Sequence, residues 1–202
     1  TEIFPLPELV EKFSLDKLNP SPAAINFSKL DHFNGVHIRS LEQDDLARRV
    51  KPFFVEAGYQ VDDEKLRKII PIIQERIGTL DEAPEIAGFF FQDEVHPEPE
   101  ELIGKKMTAS ESAAAARRSL EILESLPEIT PETAEEPLRN LVEEMGLKAG
   151  QVFGILRVAV TGQKVSPPLF ESMEIIGKEK VLERIRRAID ILEGLPVEST
   201  SG

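Results

Sequence analysis

The chain has 202 residues, which is enough for one domain or two small ones, and it has no cysteine, which excludes disulfides and thiolate metal sites. It has three scattered histidines and no run of about 18 apolar residues, so the sequence predicts neither a histidine metal site nor a membrane span. Its formal net charge of −13, taken alone, argues against binding to nucleic acid, because such binding gains affinity by neutralising phosphates.

The first segment, residues 1–40, starts with an amphipathic helical turn. The apolar side of this turn contains Leu6, Leu9, Val10 and Phe13. Pro20 and Pro22 then interrupt the helical pattern. The first residues lack the basic and apolar regions of a signal peptide, so we expect a cytoplasmic protein.

A helix is predicted at residues 42–57, where Pro52 is expected to kink it and Gly58 to end it. The apolar stripe of this helix is expected to contain Leu46, Val50, Phe53 and Ala57. The next helix is predicted at residues 62–77, with Asp62 or Asp63 as its N-cap. Because Pro71 interrupts its pattern, both one helix and two shorter ones are compatible with the sequence. The core side of this segment is expected to contain Leu66, Ile69, Ile70, Ile73 and Ile77.

Thr79 is expected to cap a third helix that ends at about Phe91, and the three consecutive phenylalanines at its end are assigned to the core. Residues 92–104 are acidic and rich in proline, which predicts a linker. We therefore expect a domain boundary in this segment, between helical subdomains at residues 41–98 and 99–195.

Capping residues mark the helix starts of the second subdomain. Thr108 and Glu111 have the spacing of a capping box, and Thr130 is the N-cap expected before a proline in the first turn. The last helix is predicted at residues 178–193. Residues 196–202 are small and polar and are expected to be a disordered tail.

The stretch at residues 150–170 is predicted to form a helix ended by Gly162, a short loop, and a second helix that Ser166 caps and that starts at Pro167. The packing side of the first helix is expected to contain Phe153, Leu156 and Val160. An adjacent face contains Gly150, Gly154, Arg157 and Thr161. Two helical glycines beside an arginine indicate either a surface kept open for a ligand or close packing against another helix.

No segment shows sustained strand alternation, so the predicted fold class is all-α, with two helical subdomains after a short connector. Charge is distributed unevenly: residues 81–138 carry 15 acidic and 4 basic side chains, whereas residues 139–187 carry 9 basic and 6 acidic ones. This distribution indicates either a local positive surface or a solvated charge pattern on helix faces. The sequence contains no glycine-rich phosphate loop, no nucleophile elbow and no acid/base pair in a catalytic context, so a free-standing enzyme is not expected.

Several motifs support a family resemblance. They are LRVAVTG at residues 156–162, SPPLFE at 166–171, IIGKE at 175–179, and the segment at 13–39, where His32 takes the place of the usual tryptophan. Together they resemble the C-terminal anticodon-binding region of bacterial glutamyl-tRNA synthetases, which are class I aminoacyl-tRNA synthetases. The resemblance implies that residues 1–40 lead from a catalytic domain, and that the two subdomains form an anticodon-binding helix stack.

What the resemblance implies about function is recognition of the anticodon arm of glutamate tRNA by a monomer. The implied tRNA-binding residues are Arg76, Arg139, Arg157, Ser166, Pro167, Leu169 and Phe170. The family's ATP-site signatures lie upstream of every motif found here, so this chain is expected to hold no cofactor, whereas the whole enzyme uses ATP and Mg²⁺ to attach glutamate. The alternative, which rests on the acidic composition and the absence of catalytic motifs, is an all-α protein–protein interaction module.

Arg76 supports the most specific expectation. In the family, an arginine at this position is associated with the third anticodon base, which is C in glutamate tRNA and G in glutamine tRNA. A guanidinium only donates hydrogen bonds, so it can serve the acceptors of C but not its amino donor, and geometry must complete the choice. The resemblance therefore implies an enzyme that discriminates against glutamine tRNA.

Overall fold

The structure, a computed structural model, describes residue 4 and residues 6–17 and 27–196. Within those residues every regular element is a helix, which confirms the predicted fold class. The α-helices are α1 (Leu6–Lys12), α2 (Phe27–Ser40), α3 (Gln43–Glu56), α4 (Asp63–Ile73), α5 (Ala83–Ala87), α6 (Ala109–Ser125), α7 (Pro131–Glu144), α8 (Ala149–Thr161), α9 (Leu169–Ile176) and α10 (Lys178–Gly194). In the described part of the chain, no helix is long and apolar enough to cross a membrane. The predictions for Pro20, Pro22 and the tail beyond residue 196 lie outside the described residues.

The helix α1 forms where the amphipathic turn is predicted, but it contains no buried residue. The following helix α2 is fixed to the first subdomain by Gln74, which comes directly after α4. Its amide nitrogen Nε2 donates to the carbonyl oxygens of Ile38 and Leu41, at 2.9 Å each. These two bonds satisfy the carbonyl of Leu41, directly after α2, and add a second donor to that of Ile38, which also accepts from the backbone N–H of Leu41 at 3.1 Å.

The core of the first subdomain lies between α3, α4 and α5. The stripe predicted for α3 is partly wrong, because Phe54 is fully buried whereas Phe53 is half-buried and Ala57 is exposed. Phe54 takes the buried position because its ring packs edge-on against Phe91, with centroids 5.2 Å apart, and against Tyr59. The helical period alone does not choose between two neighbouring phenylalanines.

The helix α4 is one continuous helix through Pro71, so the alternative of two shorter helices does not occur. Asp62 caps it by accepting a hydrogen bond from the backbone N–H of Lys65 at 2.6 Å, as predicted. The five apolar residues assigned to the core side of this segment are all buried.

The helix predicted from Thr79 to about Phe91 is wrong. This segment consists of a 3₁₀ turn at Leu80–Glu82, the short helix α5 and a second 3₁₀ turn at Gly88–Phe91. The Thr79 side chain makes no capping hydrogen bond; instead the Glu82 carboxylate accepts from the backbone N–H of Gly78 at 2.7 Å. The first two phenylalanines of the run are buried and the third is half-buried, which confirms their assignment to the core.

The helices α6 to α10 lie within the predicted second subdomain, and the capping box predicted there is confirmed. The backbone N–H of Glu111 donates to Thr108 Oγ1 at 3.2 Å, and the backbone N–H of Thr108 donates to Glu111 Oε2 at 2.7 Å. Gly162 ends α8 in the left-handed conformation, with φ = 73°, as predicted.

Residues 92–104 are held against the second subdomain rather than free of it. Leu102 is fully buried, and the carboxylates of Asp93, Glu94 and Glu101 form ion pairs with Lys180, Arg187 and Lys164 at 2.7–3.1 Å. The domain boundary between residues 98 and 99 stays a prediction. The acidic segment in which it is predicted is packed and ion-paired.

Arg184 joins the two halves of the chain from inside. Its side chain is 3% exposed and donates to the carbonyl oxygens of Val160 at 2.6 Å, Gln92 at 2.6 Å and Phe89 at 3.0 Å. The pKa of Arg184 is lowered to about 10, and burial of the guanidinium is the largest cause. The sequence counted Arg184 with the residues of a local positive surface; that assignment is wrong, because the guanidinium is inside the protein.

Candidate nucleic-acid interface

The predicted site residues meet at the loop of residues 162–168, between α8 and α9. Ser166 lies in this loop and is buried, but it does not cap α9. Its hydroxyl accepts a hydrogen bond from Arg157 at 2.7 Å and is 3.0 Å from the carbonyl oxygen of Pro167, to which it donates. An N-cap side chain accepts from N–H groups two or three residues later; Pro168 has no N–H, and the Ser166 hydroxyl accepts from Arg157 instead of from Leu169. The helix therefore begins at Leu169 and not at Pro167.

Arg157 fixes the shape of this loop. Its Nη1 atom donates to the hydroxyl and the carbonyl of Ser166, at 2.7 and 3.3 Å, and to the carbonyl of Pro167 at 2.9 Å. Burial lowers the pKa of the Arg157 guanidinium, and the nearby charge of Arg76 lowers it further. Arg157 is thus half-buried and bonded to backbone, and not a freely moving surface cation.

Arg76 reaches the same loop from the other subdomain. It follows α4, its side chain is exposed, and its Nη1 atom donates to the carbonyl oxygen of Ser166 at 3.4 Å. Two guanidiniums from distant parts of the sequence therefore converge on one carbonyl. Among the described residues, neither is seen paired with a carboxylate. Their positive charge is directed to this loop without local neutralisation.

Arg139 is connected to the loop through two aromatic rings. It lies on α7, exposed, with its Cζ 5.6 Å from the centroid of the Phe153 ring on α8. Phe153 in turn packs edge-on against Phe170 in the first turn of α9, with centroids 5.4 Å apart. Nε and Nη2 of Arg139 donate to Glu135 Oε1 at 2.9 and 2.6 Å.

The apolar residues predicted to contact a base are inside. Leu169 and Phe170 are 5% and 8% exposed, and Pro167 is buried. Both residues after the two prolines therefore belong to the core in this conformation, and their contact with RNA stays a prediction. The half-buried aromatic ring at this place is that of Phe153, which the helical period assigned to the packing side and which was missed as a site residue. No local pattern in the sequence distinguishes it from a core phenylalanine.

The glycine face of α8 is open. A Cβ atom built on Gly150 or Gly154 has no neighbouring heavy atom within 4 Å among the described residues. Among the described residues no other helix therefore packs against these glycines, whereas the use of this open face by a ligand stays a prediction. Thr161 does not belong to this open face, because it is buried and its hydroxyl donates to the Arg157 carbonyl at 2.7 Å.

The arrangement is suited to binding. Three arginines from α7, α8 and the end of α4 surround the start of α9. Guanidinium groups donate to phosphates and base edges and stack on flat rings. Within the described residues no group of three or more His, Cys, Asp or Glu side chains has the arrangement of a metal site.

Comparisons with known proteins agree with this geometry. A family model for the anticodon binding domain matches residues 45–189. The chain is 41% identical over 201 residues to a glutamate–tRNA ligase of Dehalococcoides mccartyi, covering 97% of this chain and 42% of that protein. It is 43% identical over 204 residues to the glutamate–tRNA ligase of Roseiflexus castenholzii, covering 98% of this chain and 40% of that protein.

A solved structure gives the same result for the fold. The crystal structure of a glutamate tRNA ligase from Elizabethkingia meningosepticum has a TM-score of 0.79 and 26% identity, over 94% of this chain and 37% of that one. The chain thus spans about two fifths of the length of the curated relatives it matches. Nothing in these comparisons favours the alternative of an acidic protein–protein interaction module. The chain belongs to the anticodon-binding domain family found in aminoacyl-tRNA synthetases.

Proposed function

We propose that this chain is the part of a glutamate–tRNA ligase that binds the anticodon arm of glutamate tRNA. The observation that carries the proposal is the convergence of Arg76 and Arg157 on the carbonyl oxygen of Ser166. The two residues come from separate subdomains, so the site exists only when both are packed together. The relatives that carry the same family of domain are named glutamate–tRNA ligases, which supports glutamate tRNA as the partner.

The role of this chain is to bind and position. Unpaired anticodon bases stack on arginine and aromatic surfaces and form hydrogen bonds along their edges. The whole ligase would use ATP and Mg²⁺ to attach glutamate in a catalytic domain, and this chain would act there as a cytoplasmic, monomeric tRNA-binding part that holds no cofactor itself. An anchored anticodon then fixes where the far end of the tRNA lies.

Arg76 is the proposed discriminating residue. Its hydrogen bond to the Ser166 carbonyl is long, at 3.4 Å, and the side chain is exposed, so most of its five N–H donors are free to meet a base. The loop carbonyl and Arg157 limit the positions that this guanidinium can take. Such a restricted donor can select the acceptors of C over those of G by geometry.

The test is a titration of this chain with glutamate tRNA and glutamine tRNA at several salt concentrations. The expected result is salt-sensitive binding that is tighter for glutamate tRNA. Arg157→Ala should abolish or strongly weaken binding, whereas Arg186→Ala removes the same charge from the exposed pair of Arg186 on α10 with Glu124 on α6 and should have little effect. Thermal unfolding of both variants checks that the fold is intact.

The two parts of the proposal fail separately. Absence of binding to either tRNA at low salt contradicts the tRNA-binding role of the chain. Equal binding to both tRNAs keeps that role and removes the discrimination by Arg76. In the second case Arg76→Gln should also leave the ratio of the two affinities unchanged, which confirms that the residue does not choose between them.

A further inference from the structure

The structure points to a further part of the interface on α7 and α8. We infer that Glu135 and Phe153 are positioning residues, which together hold the Arg139 guanidinium so that its outer side stacks against one unpaired base of the RNA. This inference rests on the proposed function, because it concerns the same tRNA-binding face. Neither Glu135 nor Phe153 is among the residues that the sequence assigned to the site.

The guanidinium of Arg139 is held from two directions. Glu135 lies one helical turn earlier on α7, and its Oε1 atom accepts from both Nε and Nη2 of Arg139, at 2.9 and 2.6 Å. A glutamate four residues before an arginine is the favourable order for such a pair on a helix. The Phe153 ring lies 5.6 Å from Cζ of Arg139, within the range of a cation–π contact. Together these contacts restrict a side chain that otherwise has many rotamers.

The ring of Phe153 is itself fixed. It packs edge-on, at 83° between the planes, against Phe170, which is 8% exposed and therefore part of the core. The base-stacking layer would thus consist of an exposed guanidinium, a half-buried ring and a buried ring, in that order. The innermost layer is anchored in α9, whose start carries the loop that Arg76 and Arg157 contact.

The outer side of this layer is accessible. The side chain of Arg139 is 55% exposed. On α8 the face adjacent to Phe153 contains Gly150 and Gly154, where an added Cβ atom meets nothing within 4 Å among the described residues. A flat group can therefore approach the guanidinium without displacing protein atoms.

One substitution changes RNA affinity in opposite directions for a positioning role of Glu135 and for a purely electrostatic one. Glu135→Gln removes one negative charge from an RNA-binding face, and charge alone then predicts tighter binding. If Glu135 holds Arg139, the same substitution frees the guanidinium, which must be ordered again when the base binds, and binding weakens by about two- to tenfold. The two explanations thus predict opposite changes of one dissociation constant.

The experiment is a titration of this chain, at one fixed salt concentration, with transcribed glutamate tRNA. The variants are Glu135→Gln, the control Glu183→Gln, and Phe153→Leu, which keeps an apolar side chain against Phe170 but removes the ring. Glu183 on α10 is the matched control because it forms the same pair with an arginine four residues later, at 2.6 Å. We expect weaker binding for Glu135→Gln and Phe153→Leu, and unchanged or tighter binding for Glu183→Gln.

Binding of Glu135→Gln that equals or exceeds that of the wild type overturns the inference, and so does an equal loss in Glu183→Gln. Unchanged melting temperatures of the two exposed glutamine variants exclude unfolding as the cause of a loss. If the wild-type chain itself fails to bind, the proposed function fails and this inference fails with it. Binding by the wild type without the predicted loss in Glu135→Gln removes this inference alone.

Discussion

Gly154 is the position where the structure predicts opposite effects on stability and on RNA binding. It lies in the middle of α8, and a Cβ atom there meets no heavy atom within 4 Å among the described residues. Gly154→Ala therefore adds a methyl group without a clash. An alanine in a helix interior is more favourable than a glycine by about 0.8–1.0 kcal/mol, because glycine loses more backbone freedom on folding.

For a protein of this size, that gain raises the melting temperature by about 2–4 °C. The measurement is thermal unfolding followed by circular dichroism, with Ala114→Gly on the exposed side of α6 as the calibration, since it should lower the melting temperature by a similar amount. In a tRNA titration, Gly154→Ala should bind more weakly than the wild type, because the methyl group occupies the open face beside Arg139 and Arg157.

Two results refute the reasoning in different ways. A melting temperature that falls in Gly154→Ala means that the glycine is needed for packing, and that the α8 face is not open. A melting temperature that rises while tRNA affinity is unchanged means that the face is open but lies outside the interface. Only the combination of a more stable fold and weaker binding agrees with a glycine retained for a ligand.

Two further predictions concern the fold. Arg184→Lys keeps the buried charge, but a lysine there cannot donate to all three carbonyl oxygens in the arginine geometry. We therefore expect the free energy of unfolding, measured in urea, to fall by about 1–3 kcal/mol. The control Arg187→Lys should lose much less, because Arg187 pairs with exposed carboxylates. The pKa of Glu111 is lowered, chiefly by its hydrogen bond from the Thr108 backbone. A carboxyl group whose pKa is lowered in the folded state stabilises the fold at pH values above its ordinary pKa of 4.5. This stabilisation is lost as the pH falls through the pKa of the folded state. Denaturation between pH 5 and about pH 3 should therefore be less pH-dependent in Glu111→Gln, and an unchanged dependence would contradict the capping assignment.

Local signals in the sequence predicted the helices well because their causes are local. The capping residues Asp62, Thr108 and Thr130 and the stop at Gly162 act on backbone groups within a few residues, and all four occur as predicted. The predicted cap at Ser166 does not form, because Pro168 lacks one of the two N–H groups that such a cap can bond and Arg157 donates to the hydroxyl. The sequence contains the proline, but the competing arginine is visible only after α8 and the loop have packed.

Tertiary contacts determine the side-chain positions that the sequence pattern does not predict. The sequence counts Arg184 with the charged residues of 139–187, yet it is buried and donates to three carbonyl groups in the core. In the same way, the motifs identified Arg76 and Arg157 separately, and only the packing of α4 against α9 shows that they share one carbonyl. The role inferred for Phe153 and Glu135 depends on Arg139, which pairs with Glu135 on its own helix α7 and contacts Phe153 on α8.

The distribution of ion pairs bears on how a chain with a net charge of −13 would bind RNA in the proposed role. Most of the basic residues that suggested a local positive surface are neutralised, as in the pairs of Lys164, Lys180 and Arg187 with carboxylates of residues 92–104. At the loop before α9, Arg157 and, from outside that segment, Arg76 have no carboxylate partner among the described residues. An interface with about two such charges releases few counterions, so the logarithm of affinity should fall with the logarithm of salt with a slope of only about −1 to −2. Affinity would then come mainly from stacking and base-edge hydrogen bonds, which carry sequence information, and a steeper slope would mean that phosphates are bound elsewhere on the chain.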